Sequence, residues 1–500
     1  IFADYKTILD MRSMKFLIVA LMSVSLFLSC NKEEGASLSL ERTSLYFSSW
    51  EDSTPQTIKY VPSNAVCVAV GSCSEGWRAF VDESNKTITV SAVGSSSDDI
   101  ADDELLKEGL VVVNALNKEN KATSYSINVY ISETQAADVD GAANCYVITR
   151  PAVNYTFDVM HRPDGTALDT ESVQLLWQSN RDVVKNVYKS GDKASFYIAS
   201  SEEDNSQVVD TNAVIAAYNS MGEVIWSWHL WIANENPLTA TATYSNGKTF
   251  MQNNLGAFTN ANGDASTEKI LASYGLYYQW GRKDPFPRPC FHDAAGAESE
   301  SRYKENGTYI TDEFLARTAS NGTVEYAIQN PMQYIYNDEN SEYAGDIGNG
   351  VGDWLVSAND ALWSDSEKSV YDPCPKGWRV PTADDLKVLK LSDDEDNTPL
   401  ETARKQFGWN LSDGNNEFFY SACGRRRYND GKVENMNYKD GVYPSTPEPW
   451  EGHYWTSSTT ADGMAVSLYF DLTTTRTINS FANHKPRFRA NGFQIRCVKE

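Results

Sequence analysis

The side chains best suited to bind a ligand lie between residues 425 and 450, where aromatic and basic residues occur close together. They are Trp450, Tyr443 and Tyr428, with Arg425 and Arg427 close by. Aromatic rings can stack on the faces of sugar rings or anchor a protein partner in an interface. The sequence leaves an alternative open, because the same rings could instead cover the core of their own domain.

A second candidate is an oxygen-rich segment, Asp346-Ile-Gly-Asn-Gly-Val-Gly-Asp353. Asp346, Asn349 and Asp353 carry the carboxylate and amide oxygens that Ca²⁺ prefers as ligands. The segment lacks the bidentate glutamate that completes an EF-hand loop at its twelfth position. It indicates either a calcium site or an ordinary turn, and we expect no other cofactor.

The charge balance argues against one class of partner. The chain of 500 residues has 43 basic and 68 acidic side chains, a formal net charge of −25 at pH 7. Sequence-independent affinity for nucleic acid comes from clustered lysine and arginine, so we expect no nucleic-acid partner. The length and the hydrophobic content of 41% are sufficient for two to four globular domains.

The first thirty residues are typical of an export signal. Arg12 and Lys15 precede an apolar run from Phe16 to Leu28, which is too short to span a bilayer. The start of the translated protein is predicted at Met11 or Met14, so residues 1–30 would comprise a few upstream residues and a signal peptide.

The end of this run predicts a lipid anchor. Phe27-Leu-Ser-Cys30 resembles a bacterial lipobox, and Asn31-Lys-Glu-Glu34 resembles the signal that directs lipoproteins of Bacteroides-like bacteria to the outer face of the outer membrane. The resemblance implies that Cys30 carries a lipid that holds the protein in the outer membrane, facing the exterior. The alternative is an ordinary cleaved signal peptide in which Cys30 has no such role.

Seven cysteines remain for other roles. Disulfides persist outside the cell, and an odd number leaves at least one thiol unpaired. No two of them have CxxC spacing, so the sequence does not indicate a zinc ribbon or a thioredoxin-type motif. The seven are Cys67, Cys73, Cys145, Cys290, Cys374, Cys423 and Cys497.

Residues 31–36 are predicted to be a tether, and residues 37–133 an immunoglobulin-like β-sandwich. Short alternating strands are separated by turns, which is typical of such sandwiches. The order of pieces resembles the BACON domain of Bacteroides-type surface proteins, from Leu38-Ser-Leu40 through Val61-Pro-Ser-Asn64 and Trp77 to Thr87-Ile-Thr-Val90. The resemblance implies a spacer or a carbohydrate-associated module, and we favour the spacer.

A linker is predicted at residues 134–142, which are mostly small and acidic. A second β-sandwich-like region is predicted at residues 143–234. The strand Glu223 to Ile232 has one apolar face and one mixed face, which predicts a sheet covered on both sides. His229 lies on the mixed face. We interpret it as a hydrogen-bonded member of an aromatic cluster rather than as a catalytic base.

Residues 235–500 carry four spaced motifs. They are Gly275-Leu-Tyr-Tyr-Gln-Trp-Gly-Arg282, Asp372-Pro-Cys-Pro-Lys-Gly-Trp-Arg-Val-Pro-Thr382, Tyr454-Trp-Thr-Ser-Ser458 and Gly492-Phe-Gln-Ile-Arg-Cys-Val498. In this order they resemble the Fibrobacter succinogenes major paralogous domain, which is abundant in Bacteroidetes surface proteins. The resemblance implies a C-type-lectin-like head, so the expected fold is mainly β with an α+β C-terminal domain.

Two local features belong to this C-terminal domain. A bond between Cys374 and Cys497 would join its second motif to its last strand, and the alternative is two buried free thiols. Thr382 and Asp385 stand at the N-cap and third positions of a predicted helix that continues through Leu386 to Leu391.

The same architecture occurs in formylglycine-generating oxidases, which hold copper with a pair of cysteines. Cys290 and Cys423 are the unassigned cysteines in this half, and the arginines after Cys423 are expected to lower its thiol pKa. No Ser-His-Asp or glycine-rich phosphate signature occurs in the sequence. We therefore expect no enzymatic activity, with a copper oxidase as the remote alternative.

These features together predict a surface-exposed lipoprotein that acts as a non-catalytic adhesin. Its partner would be a glycan or a surface protein, and the protein could belong to a fimbrial or polysaccharide-uptake system. The alternative is a structural component of a cell-surface stalk.

Overall fold

The computed structural model describes residues 35–50, 54–94, 106–261, 266–290, 299–339, 352–391, 402–403, 405–434, 451–472 and 481–500. Within these ranges the fold is mainly β, as predicted, and short helices lie in the C-terminal half. None of the helices in the same ranges is long and apolar enough to cross a membrane.

The N-terminal region is a sandwich of two four-stranded sheets. Its strands are β1 (Ser37–Leu40), β2 (Ser44–Phe47), β3 (Gln56–Ser63), β4 (Cys67–Cys73), β5 (Trp77–Asp82), β6 (Thr87–Ala92), β7 (Glu108–Leu116) and β8 (Ala122–Ile131). The strand orders are β1-β3-β6-β5 and β2-β8-β7-β4. Every second side chain of β6 is buried, as the period of two requires, and these side chains pack between the sheets.

A second pair of sheets follows. Its strands are β9 (Thr134–Ala136), β10 (Cys145–Ile148), β11 (Val153–Asp158), β12 (Ser172–Gln178), β13 (Val184–Ser190), β14 (Lys193–Ile198), β15 (Thr211–Tyr218) and β16 (Val224–Ile232). Strand β9 pairs in parallel with β11. The first part of the predicted linker 134–142 is therefore a strand of this sheet, because its backbone groups find partners there.

Strand β16 is covered on both faces, as its sequence predicts. Trp226, Trp228 and Leu230 point into the core between the two sheets. Trp231 points the other way, into a core that it shares with Trp280 and Trp363 of the C-terminal region. The predicted boundary at residue 234 therefore does not separate two cores.

The C-terminal region consists of short strands and helices. The strands are β17 (Thr241–Thr243), β18 (Thr249–Met251), β19 (Tyr278–Gln279), β20 (Arg302–Tyr303), β21 (Tyr309–Ile310), β22 (Glu313–Ala316), β23 (Gln333–Tyr336), β24 (Trp378–Arg379), β25 (Gly408–Ser412), β26 (Glu417–Ser421), β27 (Arg425–Arg426), β28 (Val433–Glu434), β29 (Glu451–Thr459), β30 (Ala465–Asp471), β31 (Phe481–Arg487), β32 (Gly492–Phe493) and β33 (Val498–Lys499). Helices lie at Thr267–Ala272, Val324–Gln329 and Ala383–Leu386.

The sheets connect this region to the one before it. One sheet has the order β10-β16-β15-β12-β20-β21, so two C-terminal strands extend a sheet of the second region. Another has the order β17-β18-β33-β24, which brings the end of the chain between the start and the middle of the C-terminal region. Sequence-distant strands therefore depend on each other for their hydrogen bonds.

The predicted capping box is present at the start of the helix Ala383–Leu386. The hydroxyl of Thr382 accepts a hydrogen bond from the backbone N–H of Asp385 at 3.1 Å, and the Asp385 carboxylate accepts one from the N–H of Thr382 at 2.9 Å. The helix is shorter than the apolar pattern to Leu391 predicts. Beyond it, Lys390 forms an isolated β-bridge with Ser412, which takes this segment out of helical geometry.

The N-terminal sandwich is joined to the second region by stacked rings. Tyr46 lies between Tyr130 at 4.9 Å and Tyr197 at 3.8 Å, measured between ring centroids. The carboxylate of Glu305 accepts a hydrogen bond from the backbone N–H of Asn186, whose side chain contacts the carbonyl of Tyr46. Aromatic packing and hydrogen bonds thus connect the two sandwiches.

Candidate functional site

The second sequence motif forms the base of the C-terminal region. One oxygen of the Asp372 carboxylate accepts hydrogen bonds from the N–H of Cys374 and the ammonium of Lys368, at 2.8 and 3.0 Å. The other oxygen accepts one from the N–H of Val380 at 2.8 Å. The Asp372 side chain is buried, and both of its carboxylate oxygens accept hydrogen bonds from residues of the same loop. Its role is therefore structural.

Cys374 and Cys497 form a disulfide bond, as expected. Their Cα atoms are 6.1 Å apart, and both side chains are fully buried. Next to the bond, Arg379 of β24 pairs with Val498 of β33. The second motif and the last strand are thus joined by both a covalent bond and sheet hydrogen bonds.

The first and third motifs are joined to each other by hydrogen bonds. The indole N–H of Trp455 donates to the carbonyl of Tyr278 at 2.7 Å, and that of Trp280 donates to the carbonyl of Thr456 at 2.9 Å. Gly281 has a φ of +85°, and a Cβ there would lie 2.7 Å from a side-chain atom of Leu362. These residues of the first and third motifs therefore form part of the interior of the region and are not available to a ligand.

The three candidate ligand-binding residues that fall within the described chain are not an exposed platform. Tyr428 is buried and packs edge-on against Phe488, with ring centroids 5.0 Å apart. Arg425 is buried and its guanidinium Nε lies 3.1 Å from the carboxylate of Glu434. Here the prediction is wrong, because burial of the rings and pairing of the charges stabilise the domain itself.

Arg427 is partly exposed but is already paired. Its guanidinium forms an ion pair with Asp430, three residues further along the same turn. The predicted role in ligand binding is not supported for this side chain either. The remaining two candidates, Trp450 and Tyr443, lie outside the described residues.

The predicted calcium segment is described only at its end. Asp346 and Asn349 lie outside the described residues, as does the predicted lipidation site, Cys30. Asp353 is buried, and one of its carboxylate oxygens lies 3.7 Å from the guanidinium of Arg489. Burial raises the pKa of Asp353 to about 6, and its other carboxylate oxygen accepts a hydrogen bond from the N–H of Leu355 at 3.0 Å.

The side chains of the described ranges include no group of three or more His, Cys, Asp or Glu that could hold a metal ion. Cys423 is fully buried, and this burial raises the pKa of its thiol well above the usual value. The expected lowering of that pKa by the neighbouring arginines is therefore wrong. Arg425 and Arg426 are engaged with carboxylates, and desolvation of the thiolate outweighs the attraction of Arg496.

A cleft with ligand-like dimensions lies between β17, β18 and the hairpin of β25 and β26. Its volume is about 340 Å³, within the range of small-molecule sites. Aromatic and polar side chains share its lining, which comprises Ala242, Thr243, Tyr244, Met251, Gln252, Asn260, Asn416, Glu417, Phe418, Phe419 and Arg496. We call it the amide cleft.

One wall of the amide cleft is aromatic. The rings of Tyr244 and Phe418 have centroids 4.0 Å apart, and Tyr244 also stacks on Phe250 at 4.3 Å. The hydroxyl of Tyr244 lies 2.7 Å from that of Tyr420, so the ring is held by packing and by a hydrogen bond. Phe418 is only partly buried and offers an apolar surface to the cleft.

Side-chain amides also line the amide cleft. The amide nitrogen of Asn260 donates to Gln252 Oε1 at 2.9 Å, and Gln252 Nε2 donates to the carbonyl of Thr241 at 3.0 Å. These contacts orient both amides before any ligand arrives. Oriented amides next to an aromatic wall can bind hydroxyl groups and an apolar ring face at the same time.

Arg496 lines the amide cleft and belongs to a buried polar network. Its Nε and Nη2 atoms donate to Asn254 Oδ1 at 3.0 and 2.8 Å, and Nη1 donates to the carbonyl of Phe419 at 2.7 Å. Its guanidinium carbon lies 3.8 Å from the ring centroid of Tyr420. Asn254 donates in turn to Gln494 Oε1 at 2.7 Å.

Sequence reasoning did not find this site, although one of its lining residues, Arg496, lies in the fourth motif. Gln252 and Phe418 have no distinctive neighbours in the sequence. A cleft formed by residues up to 254 positions apart has no sequence signature that a single chain can show.

No family model matches the chain, and no curated protein matches it. Among solved structures, an endo-fucoidan hydrolase of glycoside hydrolase family 107 is 10% identical over 41% of this chain and 29% of its own, with a TM-score of 0.16. A Bacteroides ovatus mixed-linkage glucan utilization locus protein, SGBP-B, in complex with a mixed-linkage heptasaccharide, is 9% identical over 35% of this chain and 41% of its own, with a TM-score of 0.12.

A protocadherin gammaB7 fragment is 11% identical over 40% of this chain and 51% of its own, with a TM-score of 0.15. The match thus spans less than two thirds of each of these proteins. Similarities at this level support no conclusion about function.

Proposed function

We propose that the protein is a non-catalytic, saccharide-binding protein whose binding site is the amide cleft. The observation that carries this proposal is the pairing of an aromatic wall, Tyr244 and Phe418, with the oriented amides of Gln252 and Asn260 in one cavity of about 340 Å³. Sugars present both an apolar ring face and a ring of hydroxyl groups. An aromatic surface and fixed amides complement these two features.

Replacing Phe418 by alanine is expected to weaken saccharide binding by about five- to tenfold, since one stacking contact contributes about 1 to 1.4 kcal/mol. Binding is measured by isothermal titration with a hit from a glycan array. Phe80→Ala is the matched control, because Phe80 is 67% exposed on the N-terminal sandwich, far from the cleft in sequence. Equal loss in both variants, or no loss in Phe418→Ala, would contradict the assignment of the site.

We further propose that the protein is anchored by a lipid at Cys30 in the outer membrane, facing the exterior. The lipobox-like segment before Cys30 and the acidic residues after it support this. Cells that express the Cys30→Ala variant should release the protein into the detergent-free fraction, whereas the parent partitions into detergent. Cys67→Ala is the control, and partitioning of Cys30→Ala with the parent would exclude this anchor.

The N-terminal sandwich fits the role of a spacer in such a protein. The Tyr130–Tyr46–Tyr197 stack joins the sandwich to the second region. The sandwich would therefore hold the rest of the chain at a distance from the lipid anchor. We propose that it resembles BACON domains in this role and that residues 235–500 form a domain of the Fibrobacter succinogenes major paralogous class. The order of the four motifs supports the second assignment.

A further inference from the structure

A second cavity lies where the N-terminal sandwich meets the second region. Its volume is about 530 Å³, larger than that of the amide cleft. This is within the range of small-molecule sites, which are frequent at the interfaces between domains. We call this cavity the junction groove; its aromatic and polar lining includes Tyr46, Tyr130, Ser132, Glu133, Lys185 and Tyr197.

The chain that lines the junction groove is hydrogen-bonded to both sandwiches. Ser132 and Glu133 connect the end of β8 to the start of β9. The N–H of Ser132 donates to the carbonyl of Phe47 in β2 at 2.8 Å, and the carbonyl of Glu133 accepts from the N–H of Asn154 in β11 at 2.8 Å. These bonds hold the lining in place without a ligand, which lowers the entropic cost of binding one.

The aromatic part of the lining is the stack of three tyrosines. The ring of Tyr46 is buried between those of Tyr130 and Tyr197, whose side chains are partly exposed. Each tyrosine combines an apolar ring with a hydroxyl group. The junction groove therefore offers both ring surface and hydrogen-bonding groups to a ligand.

One polar group of the lining is left without a partner by the fold. The hydroxyl oxygen of Ser132 is shielded from solvent and has no hydrogen-bond partner among the described residues. Buried polar groups in proteins are paired with few exceptions, because an unpaired one loses its hydrogen bonds to water without replacement. A ligand that carries hydroxyl groups can supply the missing partner.

The backbone at Ala152, which also lines the junction groove, is strained. Its φ is +56°, in the left-handed region that residues with a Cβ rarely adopt. Its N–H donates to the carbonyl of Ile198 at 2.8 Å, which holds this conformation. Conformations of this kind are frequent at ligand sites. The lining also includes Ala199, and the small side chains of the two alanines leave room for a ligand.

We propose that the junction groove is a second saccharide-binding site and that it takes neutral sugars. The rings of Tyr130 and Tyr197 contact the apolar face of the sugar, and Ser132 and Lys185 bind its hydroxyl groups. Because Lys185 and Glu133 bring opposite charges to the lining, a ligand of either charge meets a like charge. A purely apolar ligand would leave the Ser132 hydroxyl unpaired.

The test uses the full chain and a panel of neutral gluco-, galacto- and manno-oligosaccharides, with affinities measured by isothermal titration. At least one panel member is expected to bind about tenfold more weakly to Lys185→Ala, since a hydrogen bond from a charged donor is lost. The same member should bind to Phe418→Ala as tightly as to the parent. Lys189→Ala is the matched control, because Lys189 is also a partly exposed residue of β13 but does not line the groove.

A second variant, Ser132→Ala, separates ligand binding from a role in the fold. Since the hydroxyl has no partner in the described structure, its removal should leave the midpoint of urea unfolding unchanged or raise it. The affinity for the same panel member is expected to fall about fivefold. A joint loss of stability and affinity would show that the hydroxyl serves the fold and would contradict its role in binding.

The outcomes distinguish the junction groove from the amide cleft. If every member that binds loses affinity in Phe418→Ala and none in Lys185→Ala, the groove is not a saccharide site and the cleft stands. If affinity is lost in Lys185→Ala but in no case in Phe418→Ala, the groove stands and the cleft does not. Equal losses in Lys185→Ala and Lys189→Ala overturn the inference, and if no member binds the parent, both proposals fail.

Discussion

Removal of the Cys374–Cys497 disulfide is expected to lower the free energy of unfolding of the C-terminal region by about 5 kcal/mol. The bond closes a loop with a sequence separation of 123 residues, and the entropy that such a bond removes from the unfolded chain increases with loop length. The loss should be measured in the variant with both Cys374→Ala and Cys497→Ala, by urea unfolding followed by tryptophan fluorescence. Alanine leaves no unpaired thiol and no unsatisfied hydroxyl in the core.

The effect should reach the amide cleft. The backbone N–H of Met251, which lines the cleft, donates to the carbonyl of Cys497 at 3.0 Å. We therefore expect ligand affinity to decrease together with stability. Cys67→Ala is the control, since Cys67 is a partly exposed free cysteine of the N-terminal sandwich. If the double variant and the control have the same unfolding midpoint, the bond does not stabilise the region.

A loss of stability in acid is expected from His229. Its Nε2 atom lies 2.9 Å from Asn212 Oδ1, and the amide nitrogen of Asn212 donates to the carbonyl of Gly256. The oxygen of Asn212 thus faces the histidine, so His229 Nε2 is the donor. Burial lowers the pKa of His229 to about 3, because a charged imidazolium would be desolvated.

The direction of the pH dependence follows from the proton count. Below a pH of about 6.5 the unfolded chain binds a proton at this histidine, while the folded chain remains neutral until a pH of about 3. The free energy of unfolding therefore falls as the pH decreases through this window, by about 1.4 kcal/mol per pH unit for one group. His453, whose pKa burial lowers to about 4, acts in the same direction, and Asp353, with its raised pKa, acts in the opposite one.

The contribution of His229 can be isolated by substitution. The free energy of unfolding of the parent is compared with that of His229→Gln between pH 7 and pH 4.5, and the difference between the two should shrink as the pH falls. His161→Gln is the control, because His161 is about half exposed and pairs with Asp158 at the surface. A difference between parent and His229→Gln that stays constant over this range would show that His229 does not titrate as proposed.

The sequence predicted local geometry well wherever a few adjacent residues determine it. The capping box of Thr382 and Asp385 and the alternation in β6 and β16 depend on side chains within one turn or one strand. The disulfide between Cys374 and Cys497 was predicted because the two cysteines lie in two of the four spaced motifs. The class of fold was predicted for the same reason, because short alternating strands have a period that can be recognised in the chain itself.

The sequence failed where the environment of a side chain depends on distant segments. Arg425 and Tyr428 have the composition of a binding surface, yet their partners are Glu434 and Phe488, and both are buried. The boundary at residue 234 was misplaced because β20 and β21 return to a sheet of the second region. The spacing of the residues along the chain does not predict these side-chain contacts or the return of β20 and β21.

The sequence by itself determined the mainly β character of the protein, its strongly acidic charge and the residues that hold its C-terminal region together. Only the tertiary structure decided which polar side chains face a cavity, because Gln252, Phe418 and Arg496 are brought together by strands that are far apart in the chain. Local periodicity is determined by the covalent neighbours of a residue. The amide cleft depends on how β17, β18 and β26 pack, and such packing is a property of the whole folded chain.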